Sequence, residues 1–354
     1  MFQYRQLISK AGALRTVKVD PLAALLRLKS STVLVKFRLW VPLMKIKSWT
    51  PFVSPLPLLS LPSRLLEKWI HIFRLLLRVE GAQVIGESTT GSALLKLRKS
   101  CALGQKGAVV EIPRDHVIFE SVRQFARWEL DEAKFLAAGL KKVAGNQQET
   151  KSVLLDIGAN SGLVSLQAMN LAGTRNSVFL FEPVPQYAQA IKTNLSTFPE
   201  VNVCNFALSD RNDEAVMYTE ASNHGNTSLF EKTVPAINRV KQTIRLVDTA
   251  EYFRTHLESF EKCVLKCDTQ GMDALILSKV PDSVWMRTEA AIIEVTALPE
   301  IDVSDVDTLL GKIANFEFVS WHANKRAKME MAEIREFWLS KSERHKNLYL
   351  WRSA

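Results

Sequence analysis

Cysteine is scarce in this chain of 354 residues, which has four, at positions 101, 204, 263 and 267. So few cysteines in this length exclude a disulfide scaffold and favour a reducing compartment. Cys263 and Cys267 have C-x-x-x-C spacing, but no His or Cys pair stands at zinc-finger spacing from them, so we expect no metal site. Their equal parity places both side chains on one face of a strand, where cysteine acts as a small hydrophobe.

Long apolar runs are missing as well. No stretch reaches ~18 uninterrupted apolar residues, so we expect no transmembrane helix, and the start lacks the tripartite pattern of a secretory signal. Acidic residues are nearly absent from residues 1–50, which hold ten of the 46 Lys and Arg residues but only one of the 37 acids, Asp20. The remainder therefore has 36 residues of each sign, and the net charge of +9 belongs to the first 50 residues. Because the body of the protein is neutral, we expect no nucleic-acid partner.

The basic start is predicted to form a partly helical N-terminal extension over residues 1–80. Basic and apolar residues alternate there, and five prolines between positions 42 and 62 interrupt regular structure. Residues 63–79 have the pattern of a basic amphipathic helix, which either lies on an anionic membrane or covers a hydrophobic core. We expect a cytoplasmic protein. Peripheral membrane contact through residues 1–80 stays open, and the acid-poor start also resembles an organelle transit peptide.

The glycine pattern typical of dinucleotide-binding proteins is also absent. A short apolar run from Val153 ends in Asp156, and the loop that follows has glycines at 158 and 162, with spacing G-x-x-x-G instead of G-x-G-x-x-G. Such a strand, loop and helix bring backbone N–H groups against a ligand, but this spacing disfavours a pyrophosphate. The next apolar run ends in Glu182, and an acid at that position suits a ribose diol. Together these features predict a nucleoside without a pyrophosphate, of which S-adenosylmethionine is the commonest.

From residue 151 strands and helices alternate, which predicts an α/β fold with a mostly parallel, seven-stranded sheet and helices on both faces. The last two strands are predicted to form an antiparallel hairpin. The predicted strands cover residues 153–156, 178–182, 201–205, 263–268, 290–295, 316–321 and 347–352, and the predicted helices cover residues 163–172, 185–196, 272–279 and 304–314.

The connecting segments are predicted as follows. Residues 209–241 form a loop within a long crossover. Upstream, residues 108–112 and 117–119 are strands, and residues 121–143 are one helix. We therefore divide the chain into the extension (1–80), entry strands and a helix that packs on the core (81–150), and a nucleoside-binding domain (151–354).

Polar residues follow or end five of the apolar strands, where ligands of open α/β sheets bind. Each of them alone could be a helix cap or a solvated strand end, but as a set they predict a site. The five residues are Asp156, Glu182, Asn205, Asp268 and Glu294.

The S-adenosylmethionine hypothesis assigns these residues roles. Asp156 is expected to hold the amino group of the methionine part, directly or through water, and Glu182 the ribose hydroxyls. The loop Gly158-Ala159-Asn160, with Gly162, lets the backbone approach the cofactor. Residues 205–209 are expected to flank the adenine, with Asn205 at the strand end and a backbone N–H near Ala207 reading its edge.

Three residues are candidates for catalysis. Lys266 stands inside an apolar strand, where an unpaired charge is costly, so we predict a carboxylate neighbour. Asp268 is expected to orient the acceptor or take its proton, with a structural loop carboxylate as the alternative. His224, in a loop, is a second candidate base and is otherwise a solvated side chain. No Ser-His-Asp arrangement is visible, and none is needed, because methyl transfer from a sulfonium is a direct in-line displacement that requires mainly positioning.

Several motifs occur in the order found in the FkbM family of S-adenosylmethionine-dependent methyltransferases, which this chain resembles from about residue 128 to 321. The resemblance implies a class I (Rossmann-like) methyltransferase that acts on oxygen atoms of sugars, glycolipids or polyketide-type small molecules. The family usually has an acid at the position of Gln270, which argues against a base role at this position. The motifs are Leu155-Asp156-Ile157-Gly158-Ala159-Asn160-Ser161-Gly162, Phe181-Glu182-Pro183, Ala207-Leu208-Ser209-Asp210, Ser228-Leu229 and Lys266-Cys267-Asp268-Thr269-Gln270-Gly271.

Two other functions stay open at this stage. One is a catalytically inactive cofactor-binding protein that docks to a membrane or a complex through its basic N-terminal region. The other is an NAD-dependent oxidoreductase, which the glycine spacing disfavours.

Overall fold

The computed structural model describes residues 81–145, 151–174, 176–220, 223–236, 239–325 and 327–353, without the side chains of residues 223–226 and 232. The predicted N-terminal extension, with its amphipathic helix at 63–79, lies outside these residues.

The described chain begins with a small antiparallel sheet in the order β1-β2-β3, followed by two helices. The strand predicted at 108–112 is confirmed as the third of these. The elements are β1 (Ala82–Glu87), β2 (Ala93–Leu97), β3 (Val109–Ile112), α1 (Ile118–Phe125) and α2 (Leu130–Ala144).

Two predictions in this region were wrong. The strand predicted at 117–119 is instead the start of α1, because the Asp115 carboxylate accepts the backbone N–H groups of Val117 and Phe119 and so caps the helix. The single helix predicted over 121–143 is α1 and α2. The break between them contains Ala126 and Glu129, which both have left-handed backbone conformations (φ 53° and 41°) that no helix can continue through.

The central sheet has seven strands, as predicted, in the order β13-β14-β12-β11-β4-β5-β6. Only β14 runs antiparallel to its neighbours, and its pairing with β13 confirms the predicted antiparallel C-terminal pair, although a helix (Met331–Trp338) lies between the two strands. The strands are β4 (Ser152–Ile157), β5 (Ser177–Phe181), β6 (Val201–Cys204), β11 (Lys262–Cys267), β12 (Thr288–Thr296), β13 (Phe318–Ser320) and β14 (His345–Trp351). The helices after β4 are α3 (Leu163–Ala172), α4 (Pro185–Asn194), α5 (Thr249–His256), α6 (Asp273–Lys279), α7 (Asp282–Arg287), α8 (Val303–Ile313) and α9 (Met331–Trp338). The short helices α5, α7 and α9 were not predicted.

Both faces of this sheet are covered, which explains why its central strands are continuous apolar runs. On β11, Val264 belongs to the core shared with α2 and α3, whereas Cys263, Leu265 and Cys267 belong to the opposite core, shared with α6 and α8. The expectation that the two cysteines act as small hydrophobes on one strand face is therefore confirmed.

The prediction of a loop over residues 209–241 was wrong. Most of it forms a second sheet, of order β7-β10-β8-β9, from β7 (Ala207–Ser209), β8 (Asp213–Glu220), β9 (Asn223–Ser228) and β10 (Arg239–Asp248). Strands β8 and β10 bury only one face, through Met217, Ile244 and Leu246, and their other face is largely polar. So few apolar residues do not produce the continuous run that marks a central strand.

Candidate cofactor-binding site

Strand register places the predicted polar residues on one face at the carboxyl edge of the central sheet. Asp156 pairs with Lys266 on one side and with Leu180 on the other. Because side chains alternate between faces, Asp268 and Glu182, each two residues farther along, lie on the same face as Asp156. Glu294 also lies there, two residues beyond the partner of Lys266 in β12. The sheet therefore brings four carboxyl groups and one ammonium group together.

Lys266 forms a buried ion-pair triad with two of these carboxylates. Its Nζ lies 3.4 Å from Asp156 Oδ1 and 3.5 Å from Asp268 Oδ2, so the prediction of a carboxylate neighbour is confirmed. The exposed fractions of the side chains are 5% for Lys266, 1% for Asp156 and 26% for Asp268. Burial alone would lower the pKa of Lys266, but the two carboxylates raise it above its ordinary value. Lys266 thus stays charged and holds both carboxylates in place.

The Asp156 carboxylate is enclosed by protein. Ser165 Oγ donates a 2.6 Å hydrogen bond to Oδ2, whereas Oδ1, near the Lys266 ammonium, has no hydrogen-bond partner among the described residues. Thr269 Oγ1, in the loop after β11, is likewise buried without a partner in the described part of the chain. Buried polar atoms normally have partners, so these two atoms fit a site whose hydrogen bonding a ligand completes.

The loop after β4 depends on one glycine for its shape. Gly158 has φ 79°, and a Cβ added there would lie 1.9 Å from the carbonyl oxygen of Asp268. Only glycine lets the loops after β4 and β11 approach this closely. The N–H groups of Gly158 and Ala159 both donate to Phe181 O, at 3.0 and 3.1 Å, and Gly162 (φ 72°) begins α3. This loop is therefore tied to the end of β5.

Glu182 is held by two backbone donors. Its Oε2 accepts the N–H of Asn160 and its Oε1 that of Val184, both at 2.8 Å. Burial raises the pKa of Glu182 to about 8, although these hydrogen bonds oppose the rise. Each carboxyl oxygen retains a second lone pair, so the group can still accept the two hydroxyl hydrogen bonds of a ribose.

Asn205 supports the backbone at the same edge. Its Nδ2 donates to the carbonyl oxygens of Glu182 (2.9 Å) and Pro183 (3.0 Å), and the chain then enters β7 at Ala207, which pairs with Leu246 of β10. The expected positions of Asn205 and Ala207 beside the adenine stay predictions.

Gln270 links the remaining acids. Its Nε2 donates to Asp268 Oδ1 at 2.9 Å and to both oxygens of Glu294, at 3.0 and 2.9 Å. The backbone carbonyl oxygen of Gln270 accepts a 2.9 Å hydrogen bond from Ser228 Oγ, which ties this loop to the end of β9. Burial, with Asp268 nearby, raises the pKa of Glu294 well above its ordinary value. Gln270 therefore acts as an amide bridge between two carboxyl groups.

His224 lies in β9, but its side chain is outside the described residues, so its role as a base stays a prediction.

Glu129 was missed by the sequence analysis. It precedes α2, and burial together with Asp268 raises its pKa to about 8. Position 129 lay inside a predicted continuous helix, so no sequence signal separated it from the surrounding helical residues.

Among the described residues, no group of three or more His, Cys, Asp or Glu side chains is arranged to hold a metal ion. In that same part of the chain, no helix has the length and apolar character needed to cross a membrane.

A sequence profile for the methyltransferase FkbM domain matches residues 156–337. Among solved structures, the chain is similar to the precorrin-6y C5,15-methyltransferase of Geobacter metallireducens GS-15, with 16% identity, a TM-score of 0.28 and coverage of 62% of this chain and 87% of that one. It is also similar to Aeropyrum pernix fibrillarin in complex with natively bound S-adenosyl-L-methionine (12% identity, TM-score 0.31, coverage 76% and 98%). A third is a SAM-dependent methyltransferase from Agrobacterium tumefaciens (9%, TM-score 0.35, coverage 78% and 79%). No curated protein matches the sequence significantly.

Proposed function

Because the chain belongs to the FkbM methyltransferase family and takes S-adenosylmethionine as its methyl donor, we propose that it methylates a hydroxyl oxygen of a small-molecule, sugar or glycolipid acceptor. When bound, the cofactor supplies a methyl group made electrophilic by the sulfonium. The residues of the chain then have to bind the cofactor, orient the acceptor and remove the hydroxyl proton.

The cofactor roles follow from the positions of the side chains. Glu182 would accept the ribose hydroxyls, and the loop with Gly158 would bring backbone groups against the nucleoside. Asp156 would act on the methionine end through Lys266 or through water, because its own side chain is enclosed. Asp156 Oδ1 has no hydrogen-bond partner among the described residues, which supports a bridging water between it and the ligand.

The position of Asp268 is the observation that supports methylation of a hydroxyl group. Asp268 is the most exposed member of the triad, and both of its oxygens have partners, Lys266 on one side and Gln270 on the other. A carboxylate held from two sides at the edge of the sheet is oriented to accept the proton of a hydroxyl group as that oxygen is methylated. His224 is the second candidate for this proton transfer.

Transfer of tritium from labelled S-adenosylmethionine to a panel of acceptors tests the proposal. The panel contains sugars, glycolipids and polyketide-type alcohols, with primary amines for comparison. We expect label in a base-stable methyl ether. We also expect Asp268→Asn to slow transfer about 100-fold or more, as for loss of a general base, while the affinity for the cofactor stays within about threefold.

Label in the amines alone would refute the O-methylation proposal. If no acceptor, including extracted metabolite and glycan pools, receives label although the cofactor binds, the alternative of a catalytically inactive cofactor-binding protein is supported.

A further inference from the structure

Glu129 has an unfavourable backbone conformation that the fold maintains. Its φ of 41° and ψ of 52° lie in the left-handed region, which is strained for a residue with a Cβ. The preceding residue, Trp128, is held by the amide of Gln167, which accepts the Trp128 N–H at 3.4 Å and donates to the Trp128 carbonyl oxygen. On the other side, the Glu129 carbonyl oxygen accepts the first hydrogen bond of α2, from Ala133. Gln167 is fully buried in α3, and both its amide oxygen and its amide nitrogen bond to the backbone of Trp128.

Glu129 directly precedes α2, which packs on the sheet face that holds the triad. In the first turn of α2, Glu132 accepts hydrogen bonds from Asn347 and Tyr349 of β14. Asn347 pairs with Glu294 at the carboxyl edge of the sheet, so Glu129 stands at the same edge as the triad. The charges that act on it are those of Asp268, Lys266, Glu132 and Asp156. Within the described part of the chain, no hydrogen bond or ion pair reaches its carboxylate, which does not cap α2 either. Burial and the neighbouring Asp268 raise its pKa to about 8. The fold thus places an acid near other acids, and no described residue pairs with it.

Ionisation of all the acids at this point would exceed what Lys266 can balance. The carboxyl groups of Glu129, Asp156 and Asp268 all act on its one ammonium group. Asp156 is enclosed, with one oxygen bonded to Ser165 and the other beside Lys266, so a ligand has little direct access to it. Glu129 and Asp268 are the two carboxylates that are not fully buried. Excess acid that the protein leaves unpaired favours a cationic ligand group.

S-adenosylmethionine has two cationic groups, the sulfonium next to the ribose and the α-ammonium at the far end of its methionine part. Glu182, the expected ribose acceptor, follows β5, whereas Lys266 and Asp268 lie on β11 or directly after it, two strands away. Neighbouring strands are about 4.8 Å apart, so these positions are separated by roughly 10 Å. The far end of the cofactor, and not the group next to the ribose, therefore matches Glu129.

We propose that Glu129 binds the α-ammonium group of the methionine part of S-adenosylmethionine, and that Asp156 acts behind it through Lys266. This inference concerns the cofactor alone and does not depend on the identity of the acceptor or of the acceptor atom.

Isothermal titration calorimetry of the full chain with three ligands tests it. S-adenosylmethionine has both cationic groups, S-adenosylhomocysteine has only the ammonium, and 5′-methylthioadenosine has neither. We expect Glu129→Gln to lower the affinity for S-adenosylmethionine and S-adenosylhomocysteine about 10- to 100-fold, the range of a charge-assisted hydrogen bond. The affinity for 5′-methylthioadenosine should change by no more than about twofold. Glu129→Asn is the second variant, because asparagine tolerates the left-handed conformation. Glu132→Gln is the matched control, since Glu132 lies in the first turn of α2 but already accepts hydrogen bonds from Asn347 and Tyr349.

Each other outcome overturns the inference. If both variants lower the affinity for all three ligands equally, Glu129 maintains the fold and does not bind the ammonium group. If only the affinity for S-adenosylmethionine falls, Glu129 interacts with the sulfonium instead. If the affinities are unchanged, or if Glu132→Gln has an equal effect, Glu129 does not contact the cofactor.

Discussion

Replacement of Lys266 by methionine should destabilise the protein far more than the loss of an ordinary surface ion pair. Methionine keeps much of the apolar stem of Lys266 but removes the ammonium group. Asp156, with 1% of its side chain exposed, would then be a buried carboxylate without its counter-charge, and Asp268 would lose its second partner. Removal of one member of a buried pair costs about 3–5 kcal/mol. We therefore expect Lys266→Met to lower the free energy of unfolding by about that amount, measured by urea denaturation of the cofactor-free protein with circular dichroism.

Arg335→Met provides the control. Arg335 pairs with Asp307 at 2.6 Å, a shorter distance than in the triad, but both side chains are about half exposed, at 45% and 49%. Solvent screens such a pair, so we expect a loss below about 1 kcal/mol. The double variant Asp156→Asn with Lys266→Met should recover part of the stability, because it no longer buries an unpaired charge. If Lys266→Met costs no more than Arg335→Met, the triad does not stabilise the fold as a buried ion pair.

Three further predictions follow from the same structure. Gly158→Ala should abolish cofactor binding, because the added Cβ would overlap Asp268 O, and should destabilise the protein by more than the strain of a left-handed alanine, about 1–2 kcal/mol. Gly173→Ala is the control, since Gly173 (φ 67°) has open space around it and should show that strain alone. Similar losses of stability for the two variants in urea denaturation would contradict this. Glu182 has a raised pKa of about 8, against 4.5 for the ordinary group, so the folded state holds a proton that the unfolded chain releases, and stability of the cofactor-free protein should fall as pH rises between those values. Glu182→Gln should reduce that slope in urea denaturation, and a stability that rises over this interval would refute the assignment. Deletion of residues 1–60 should leave cofactor affinity intact but reduce partitioning onto anionic vesicles; equal partitioning of both forms would exclude a membrane role for this segment.

Most of the central sheet could be predicted because its signals are local. The run from Val153 to Leu155 is apolar throughout, since both faces of the strand are covered. An acid directly after such a run lies at the carboxyl edge of the sheet whatever the rest of the chain does. Asp156, Glu182 and Asp268 could therefore be placed at one edge from the sequence, and the charge inside an apolar strand predicted the partners of Lys266.

The strands of residues 209–241 could not be predicted in the same way. Residues of β8 pair with residues of β10 that lie 19 (Glu220 and Arg239) to 33 (Asp213 and Leu246) positions away, and the paired strands share a buried face. The hydrogen bond from Ser228 to Gln270 likewise joins residues that lie 42 positions apart. Such contacts depend on the path of the chain, which composition and periodicity do not specify.

The sequence by itself determined the order of strands and helices and the identity of the acids at the strand ends, because burial on both faces and the parity of a strand act over a few residues. Only the tertiary structure decided that Asp156 is enclosed behind Lys266, that Gln270 bridges two carboxyl groups, and that Glu129 stands at a break between two helices. The physical reason is that charge balance and burial are properties of groups that meet in space, and such groups can be far apart in the sequence, as Asp156 and Lys266 are.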